Sequence, residues 1–241
     1  FSQAAMFYAS LTSIEQQHIA DAYTFELGKC YEQAIKERTL TVLAKIDADL
    51  CAQVAAGLGL PAPSPEPVEP GAMSPSLRQI KPTPFPITGR IVGVVAGPGA
   101  DLAGIAKLRK ALTAEGAVLR VIAPHGGQLR DGDDVEIVER TFATGRSIEF
   151  DAIVVADGAP KDDDFRARVM LQEAFRHLKA IGAWGDGGTV LEAAGIAPDA
   201  PGVVTGTKSD AALATQLIES LGLHRAWDRT PLVAASALPT T

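Results

Sequence analysis

Hydrophobic and polar positions change rhythm twice along the chain. Through residues 1–60 apolar side chains recur at helical spacing, with no strand alternation. Phe1 to Tyr8 reads as the inside of a helix, as if the chain were part of a longer one. Thr12-Ser13-Ile14-Glu15 fits a capping box, in which Thr12 accepts from the third residue on and Glu15 reaches back. The helix it opens is predicted to run to Leu27 and stop at Gly28, with Ile19, Ala22, Tyr23 and Leu27 on one buried stripe. A second helix, Glu32 to Lys45, groups Ile35, Thr39, Val42 and Ile46; a third, after Asp47, groups Leu50, Val54 and Leu58 before Gly59. Short helices of this kind are expected to cover a neighbour with one face and to make a poor core alone.

From residue 61 to 88 the rhythm stops. PAPSPEPVEPGAMSPS and then KPTPFP remove backbone donors and hold the chain extended, so this stretch is predicted to wrap a surface or span two bodies. From Arg90 apolar runs alternate with helical periods. Strands are expected at Arg90–Ala96, Val118–Ala123, Asp151–Asp157, Ile181–Trp184 and Gly202–Thr205, with an edge or hairpin piece at Val135–Phe142. Helices are expected at Leu102–Glu115, Asp164–Lys179 and Thr189–Ala194, with a last one capped by Ser209 and carrying Leu213, Leu217 and Leu221. Repeated strand–helix units with buried strands mean an α/β doubly wound parallel sheet. The chain therefore divides into a helical segment (1–60), a linker (61–88), an α/β domain (89–228) and a tail (229–241).

Composition narrows the partners. A net charge of −7 and the lack of any Lys/Arg run exclude the basic footprint of a nucleic-acid binder and an attraction to anionic membranes. No apolar run approaches the roughly 18 residues of a membrane span, and no signal-peptide pattern opens the chain, which places it in the cytoplasm unless a parent protein is exported. Cys30 and Cys51 have neither metal-ligand nor disulfide-framework spacing and read as buried small hydrophobes.

Candidate chemistry is thin. The turn Gly97-Pro98-Gly99-Ala100-Asp101 joins the first strand to the first α/β helix, where phosphate can bind. Its glycines do not follow G-x-G-x-x-G, Asp101 competes with an anion for the same donors, and the second strand ends in Ala123-Pro124 without an acid for a ribose. A tight turn is the reading we favour there over a dinucleotide site. The four histidines, His18, His125, His177 and His224, lack metal-pair spacing and are expected at the surface or half-buried. Asp162-Asp163-Asp164 precedes a helix, so capping by Asp164 is favoured over cation binding. The stretch Lys179-Ala180-Ile181-Gly182-Ala183-Trp184-Gly185-Asp186-Gly187-Gly188 has the strand–turn–helix layout of a nucleophile elbow. It resembles the class I glutamine amidotransferase-like and intracellular-protease-like superfamily, whose turn places Cys where Gly185 stands and His where Asp186 stands. With Gly185 at the tip there is no thiol or hydroxyl, so the resemblance carries the flavodoxin-like fold and not the activity: the elbow at Gly185 and Asp186 is degenerate.

A second resemblance covers the N-terminal region. It is carried by Phe1-Ser2-Gln3-Ala4, Ser10-Leu11, Glu15, His18-Ile19, Ala22 and Phe25-Glu26-Leu27. It continues through Ile35, Glu37-Arg38, Leu43, Ile46-Asp47, Leu50, Val54-Ala55 and Leu58-Gly59. This string resembles the helices that close the core of large-subunit haem catalases, which go on to a Pro-rich connection and an added flavodoxin-like domain in the same order. The resemblance implies a parent that disproportionates hydrogen peroxide on haem, with the catalase barrel and a homotetramer as partners. A dimer is the alternative for the isolated chain. The family's haem ligand is a Tyr with Arg four residues before it. Tyr8, Tyr23 and Tyr31 are preceded at that spacing by Ala4, Ile19 and Leu27, so no catalytic, cofactor-binding or metal residue carries over and no haem is expected in this chain.

Three roles follow as expectations. The first is structural: subunit and tetramer stabilisation by a non-catalytic chain. The second is chaperone-like capture of unfolded client proteins by apolar faces around Ile19, Tyr23 and Phe25. The third is nucleotide or other small-molecule binding at the turns of Gly97 and Gly185.

Overall fold

The computed structural model describes residues 1–81, 83–160 and 164–232, and the chain divides into two units, the first spanning Phe1–Pro82 and the second beginning at Thr83. The first unit holds α1 (Ser2–Ser10), α2 (Ser13–Gly28), α3 (Gln33–Leu43) and α4 (Ala48–Leu58). The capping box forms as read: Thr12 Oγ1 accepts from the Glu15 amide at 3.3 Å, and Glu15 Oε2 accepts from the Thr12 amide at 2.9 Å. Asp47 caps α4 through the Leu50 amide at 2.8 Å, and Gly59 ends it in the left-handed region.

The helices do build a core of their own, contrary to expectation. Tyr8, Ala20, Leu27, Leu40, Leu43, Ala44, Leu50, Cys51, Val54 and Ala55 are buried together. The faces they use are rotated from the predicted stripes. Ala22 and Tyr23 point outward on α2, and Ile35 and Val42 on α3. The cause is close approach. A Cβ at Gly57 would lie 2.6 Å from Thr24 Cγ2, so α2 and α4 meet at that point, and the row Ala20–Thr24–Leu27 turns inward. On α3, Cys51 Sγ donates to the Leu40 carbonyl at 3.3 Å and brings Leu40 and Leu43 onto α4. Cys30 is only half-buried.

The Pro-rich stretch lies back over the helices of its own unit. The Glu66 and Val68 amides donate to the Ala44 and Lys45 carbonyls, at 3.0 and 3.1 Å. Ser74 and Arg78 bond Ser10, and the Gln79 amide donates to Glu15 Oε1 at 2.6 Å. Burial alone would raise the Glu15 pKa; the amides of Thr12, Gln79 and Ile80 outweigh it and hold the carboxyl below its usual range.

The second unit is a seven-stranded sheet of order β3-β4-β2-β1-β5-β6-β7. Its strands are β1 (Ile91–Val95), β2 (Val118–Ala123), β3 (Gly127–Asp131), β4 (Asp134–Thr141), β5 (Ala152–Val155), β6 (Ala180–Trp184) and β7 (Val203–Gly206). All neighbours pair in parallel except β3, which is antiparallel to β4. Helices α5 (Leu102–Ala114) and α8 (Ala211–Gly222) cover one face, and α6 (Phe165–Arg176) and α7 (Gly187–Ala193) the other. This is the doubly wound, flavodoxin-like arrangement expected from the sequence. β3 escaped the reading because Leu129 is its one buried residue, too little for a strand pattern. Asp164 caps α6 as expected, whereas Asp162 and Asp163 lie outside the described residues. The cap of α8 is Asp210, accepting from the Leu213 amide, and not Ser209; the Ser209 hydroxyl donates instead to the Gly104 carbonyl at 2.8 Å.

Candidate functional site

Ligands of doubly wound folds bind at the carboxyl ends of the strands. Here that end gathers three aspartates that follow three strands, Asp101 after β1, Asp157 after β5 and Asp186 after β6. Gly185 keeps the left-handed backbone of an elbow tip, with φ +59°. The place where a side chain would stand is already taken, because a Cβ there would lie 2.2 Å from Asp157 Cγ. The Asp157 carboxylate is itself fixed, accepting from the Asp186 amide at 2.9 Å. Asp186 in turn accepts from the Gly158 amide at 2.7 Å, and the Asp157 carbonyl accepts from the Asp101 amide at 3.0 Å. Asp101 closes the ring: one carboxylate oxygen caps α5 at the Gly104 amide, 2.8 Å away, and the other accepts from Trp184 Nε1 at 3.1 Å.

Three backbone donors at this end, the amides of Gly104, Gly158 and Asp186, are thus spent on carboxylates of the chain itself, where an oxyanion or a phosphate would compete for them. The two turns singled out in the sequence, at Gly97–Asp101 and at Gly185–Asp186, are brought together, but as a locked structural ring. Asp157 was missed by sequence reasoning; its only signal was an acid at the end of the run DAIVVAD. Among the described residues no group of three or more His, Cys, Asp or Glu side chains is disposed to hold a metal ion. Among them also, no helix is long and apolar enough to cross a membrane.

The opposite end of the sheet holds a second cluster that the sequence did not reveal. Arg90 precedes β1, Asp151 precedes β5, Lys179 precedes β6, and His224, Arg225 and Arg229 follow α8. Arg90 Nη1 donates to Asp151 Oδ1 at 2.8 Å, and the Ile91 amide to Asp151 Oδ2 at 2.9 Å. Lys179 Nζ donates to the Ser147 and Phe150 carbonyls at 2.5 and 2.7 Å; burial and then Arg225 push its pKa down. Arg229 is fully buried, bonded to the carbonyls of Pro201, Phe175 and Lys179 and set over the Phe175 ring; burial brings its pKa down to about 10. His18, His125 and His177 are exposed, and His224 is half-buried.

Residues 88–231 match the model of the C-terminal domain found in long catalases. The chain belongs to this family. Residues 1–58 match a second model, described as catalase-related immune-responsive. The chain is 38% identical to catalase HPII of Mycobacterium avium over 95% of its length, and 35% identical to catalase HPII of Pseudomonas aeruginosa over 99%. It is 31% identical to catalase-2 of Bacillus subtilis over 95%. In each case it spans about a third of the relative's length, 35%, 34% and 34% respectively.

Haem, the group a catalase requires, finds no fit in this catalase C-terminal domain or its helical unit. Tyr8 is buried among the apolar side chains of the helical core, and that burial, with Asp47 and Asp49 nearby, pushes its pKa up to about 12. Tyr23 is exposed and Tyr31 fully so. None of the three has the arginine partner.

Proposed function

We infer that this chain is the non-catalytic C-terminal part of a large-subunit haem catalase, and that its work is to stabilise the parent subunit and its tetramer. The parent reaction is the disproportionation of hydrogen peroxide to water and oxygen. Its functional divisions are the catalase-type helices (1–60), a wrapping linker (61–88), the flavodoxin-like domain (89–228) and a tail (229–241), working in the cytoplasm. One observation carries the reading: the catalase-type helices and the catalase C-terminal domain follow one another in a single chain whose elbow at Gly185 is filled by Asp157. In this reading Phe25, Tyr31, Ile35 and Val42, exposed on the helical unit, meet the rest of the parent. The test is to compare the whole parent protein with a version ending at Pro82. Oxygen release per haem is expected to be equal, with faster loss of tetramer on heating in the shortened form. Peroxide breakdown by this chain alone, or unchanged assembly without residues 83–241, would overturn it.

The same exposed side chains favour a second reading, chaperone-like binding of unfolded proteins by the isolated chain. Suppressed aggregation of a heated client at substoichiometric chain supports it, and no effect at excess ends it. Small-molecule binding at the Gly97 and Gly185 turns gains no support from donors already spent on Asp101, Asp157 and Asp186.

A further inference from the structure

The ring of His224, in the second unit, is aimed at two cations. It stands just beyond the end of α8 in the left-handed region, with φ +67°, an orientation the local fold imposes on a non-glycine residue. Its Nδ1 lies 2.9 Å from Arg90 Nη1 and 3.5 Å from Arg225 Nη1. A guanidinium N–H is always a donor, so Nδ1 must be the acceptor and the imidazole must be neutral, with its proton on Nε2. A second proton on the ring would replace this hydrogen bond by an N–H···H–N clash and set three positive charges side by side.

Through this contact the ring ties the turn after α8 to the first strand. Arg90 is fixed on its other side by Asp151, while Arg225 Nη1 donates to the His224 carbonyl at 2.7 Å. The turn continues into Ala226, whose amide donates to the Leu178 carbonyl at 2.7 Å, and then into the buried Arg229. We propose that the contact of His224 with Arg90 and Arg225 is an acid-sensitive latch, which holds the segment after α8 on the foot of the sheet when neutral and releases it when protonated.

The charges that face the ring are Arg90 from the start of β1, Arg225 from its own turn and Asp151 from the start of β5. Lys179, at the start of β6, adds a further cation beside Arg225 and Asp151, with Glu173 of α6 near it. Among the described residues Asp151 is the opposing charge at the ring, and it is already engaged by Arg90 and the Ile91 amide. Burial, Arg225 and Arg90 accordingly hold the His224 pKa below its ordinary value against the pull of Asp151. The sign follows: the released turn, with an ordinary imidazole of pKa about 6.5, binds the proton that the latched turn refuses. The latch is intact above that value and weakens as pH falls through it, with the opening equilibrium rising by up to about tenfold per pH unit.

The test is amide hydrogen exchange at Ala226 between pH 7.5 and 5 on the full chain, corrected for the intrinsic pH dependence of exchange. His224→Asn is the control, because Asn tolerates the left-handed region and offers an amide oxygen near the place of Nδ1 without a titratable group. The wild-type opening constant is expected to rise several-fold across this range and that of H224N to stay flat. A proton-NMR titration of the His224 ring, made in parallel, is expected to give a pKa below 6.5. Equal exchange profiles for the two proteins, or a ring that titrates at or above 6.5, would overturn the proposal. Should H224N fail to fold, the ring titration together with the wild-type exchange profile decides alone.

Discussion

Filling the elbow tip is the sharpest perturbation the structure offers. Gly185→Ser would restore the hydroxyl position of an elbow nucleophile, but its Cβ must enter space 2.2 Å from Asp157 Cγ and 2.3 Å from Asp157 Oδ1. Two penalties add. A non-glycine residue at φ +59° costs about 1–2 kcal/mol, and overpacking a tightly held site costs about 1–3 kcal/mol. Asp157 cannot easily step aside, because its carboxylate caps the Asp186 amide. The total, about 2–5 kcal/mol, corresponds to a Tm lower by roughly 4–20 °C for a domain of this size. Both tryptophans, Trp184 and Trp227, lie in the second unit, so their fluorescence during urea or thermal unfolding reports on it alone. Asp157→Gly removes the obstructing atoms. The double variant is expected to recover about 1–3 kcal/mol relative to the sum of the single changes. A Gly185→Ser protein within 0.5 kcal/mol of wild type, or a double variant with no coupling, would refute the picture of an elbow filled by Asp157.

Other outcomes follow from the same contacts. Thr12→Ala should lower the stability of the helical unit by about 1 kcal/mol, read by far-UV dichroism, with Thr12→Ser close to neutral. Arg229→Met sets two effects against each other: relief of a buried cation whose Nη2 lacks a partner among the described residues, and loss of the donor to three carbonyls. The carbonyl of Phe175 keeps the Leu178 amide, but those of Pro201 and Lys179 lose this donor, at about 1–3 kcal/mol for each left unpaired; the carbonyls should win, and a variant more stable in urea would contradict this. Asp151 is held below its usual pKa by the Ile91 amide and Arg90 against the opposing effect of burial. Its contribution is therefore present above about pH 4 and lost as pH falls through its lowered value. Asp151→Asn should flatten that part of the acid-unfolding curve. Tyr8, raised to about 12 by burial and then by Asp47 and Asp49, gives the opposite sign. The unfolded phenol ionises near 10, so stability is lost between about pH 10 and 12, and Tyr8→Phe should remove that loss.

What could be read without coordinates was whatever is written within a few residues. The capping box at Thr12 and Glu15 needs only three neighbours, and the runs at Ile91–Val95 and Ala152–Val155 are apolar because both sheet faces are covered. The glycine at 185 announced a tip without a nucleophile for the same local reason. The exposed face of α2 was misread because its rotation is set by Gly57, 33 residues beyond Thr24, and periodicity alone does not say which of two adjacent rows meets a partner. Asp157 and the ring it forms with Asp101 and Asp186 could not be assembled from sequence, since three separate strand ends must first be aligned by the sheet. The foot of the sheet is the extreme case. Arg90 and His224 are separated by 134 positions, and only parallel strand pairing with the return of α8 brings them to 2.9 Å. Local propensity chose the elements; long-range packing, where burial and charge compensation are decided, chose which side chains face one another.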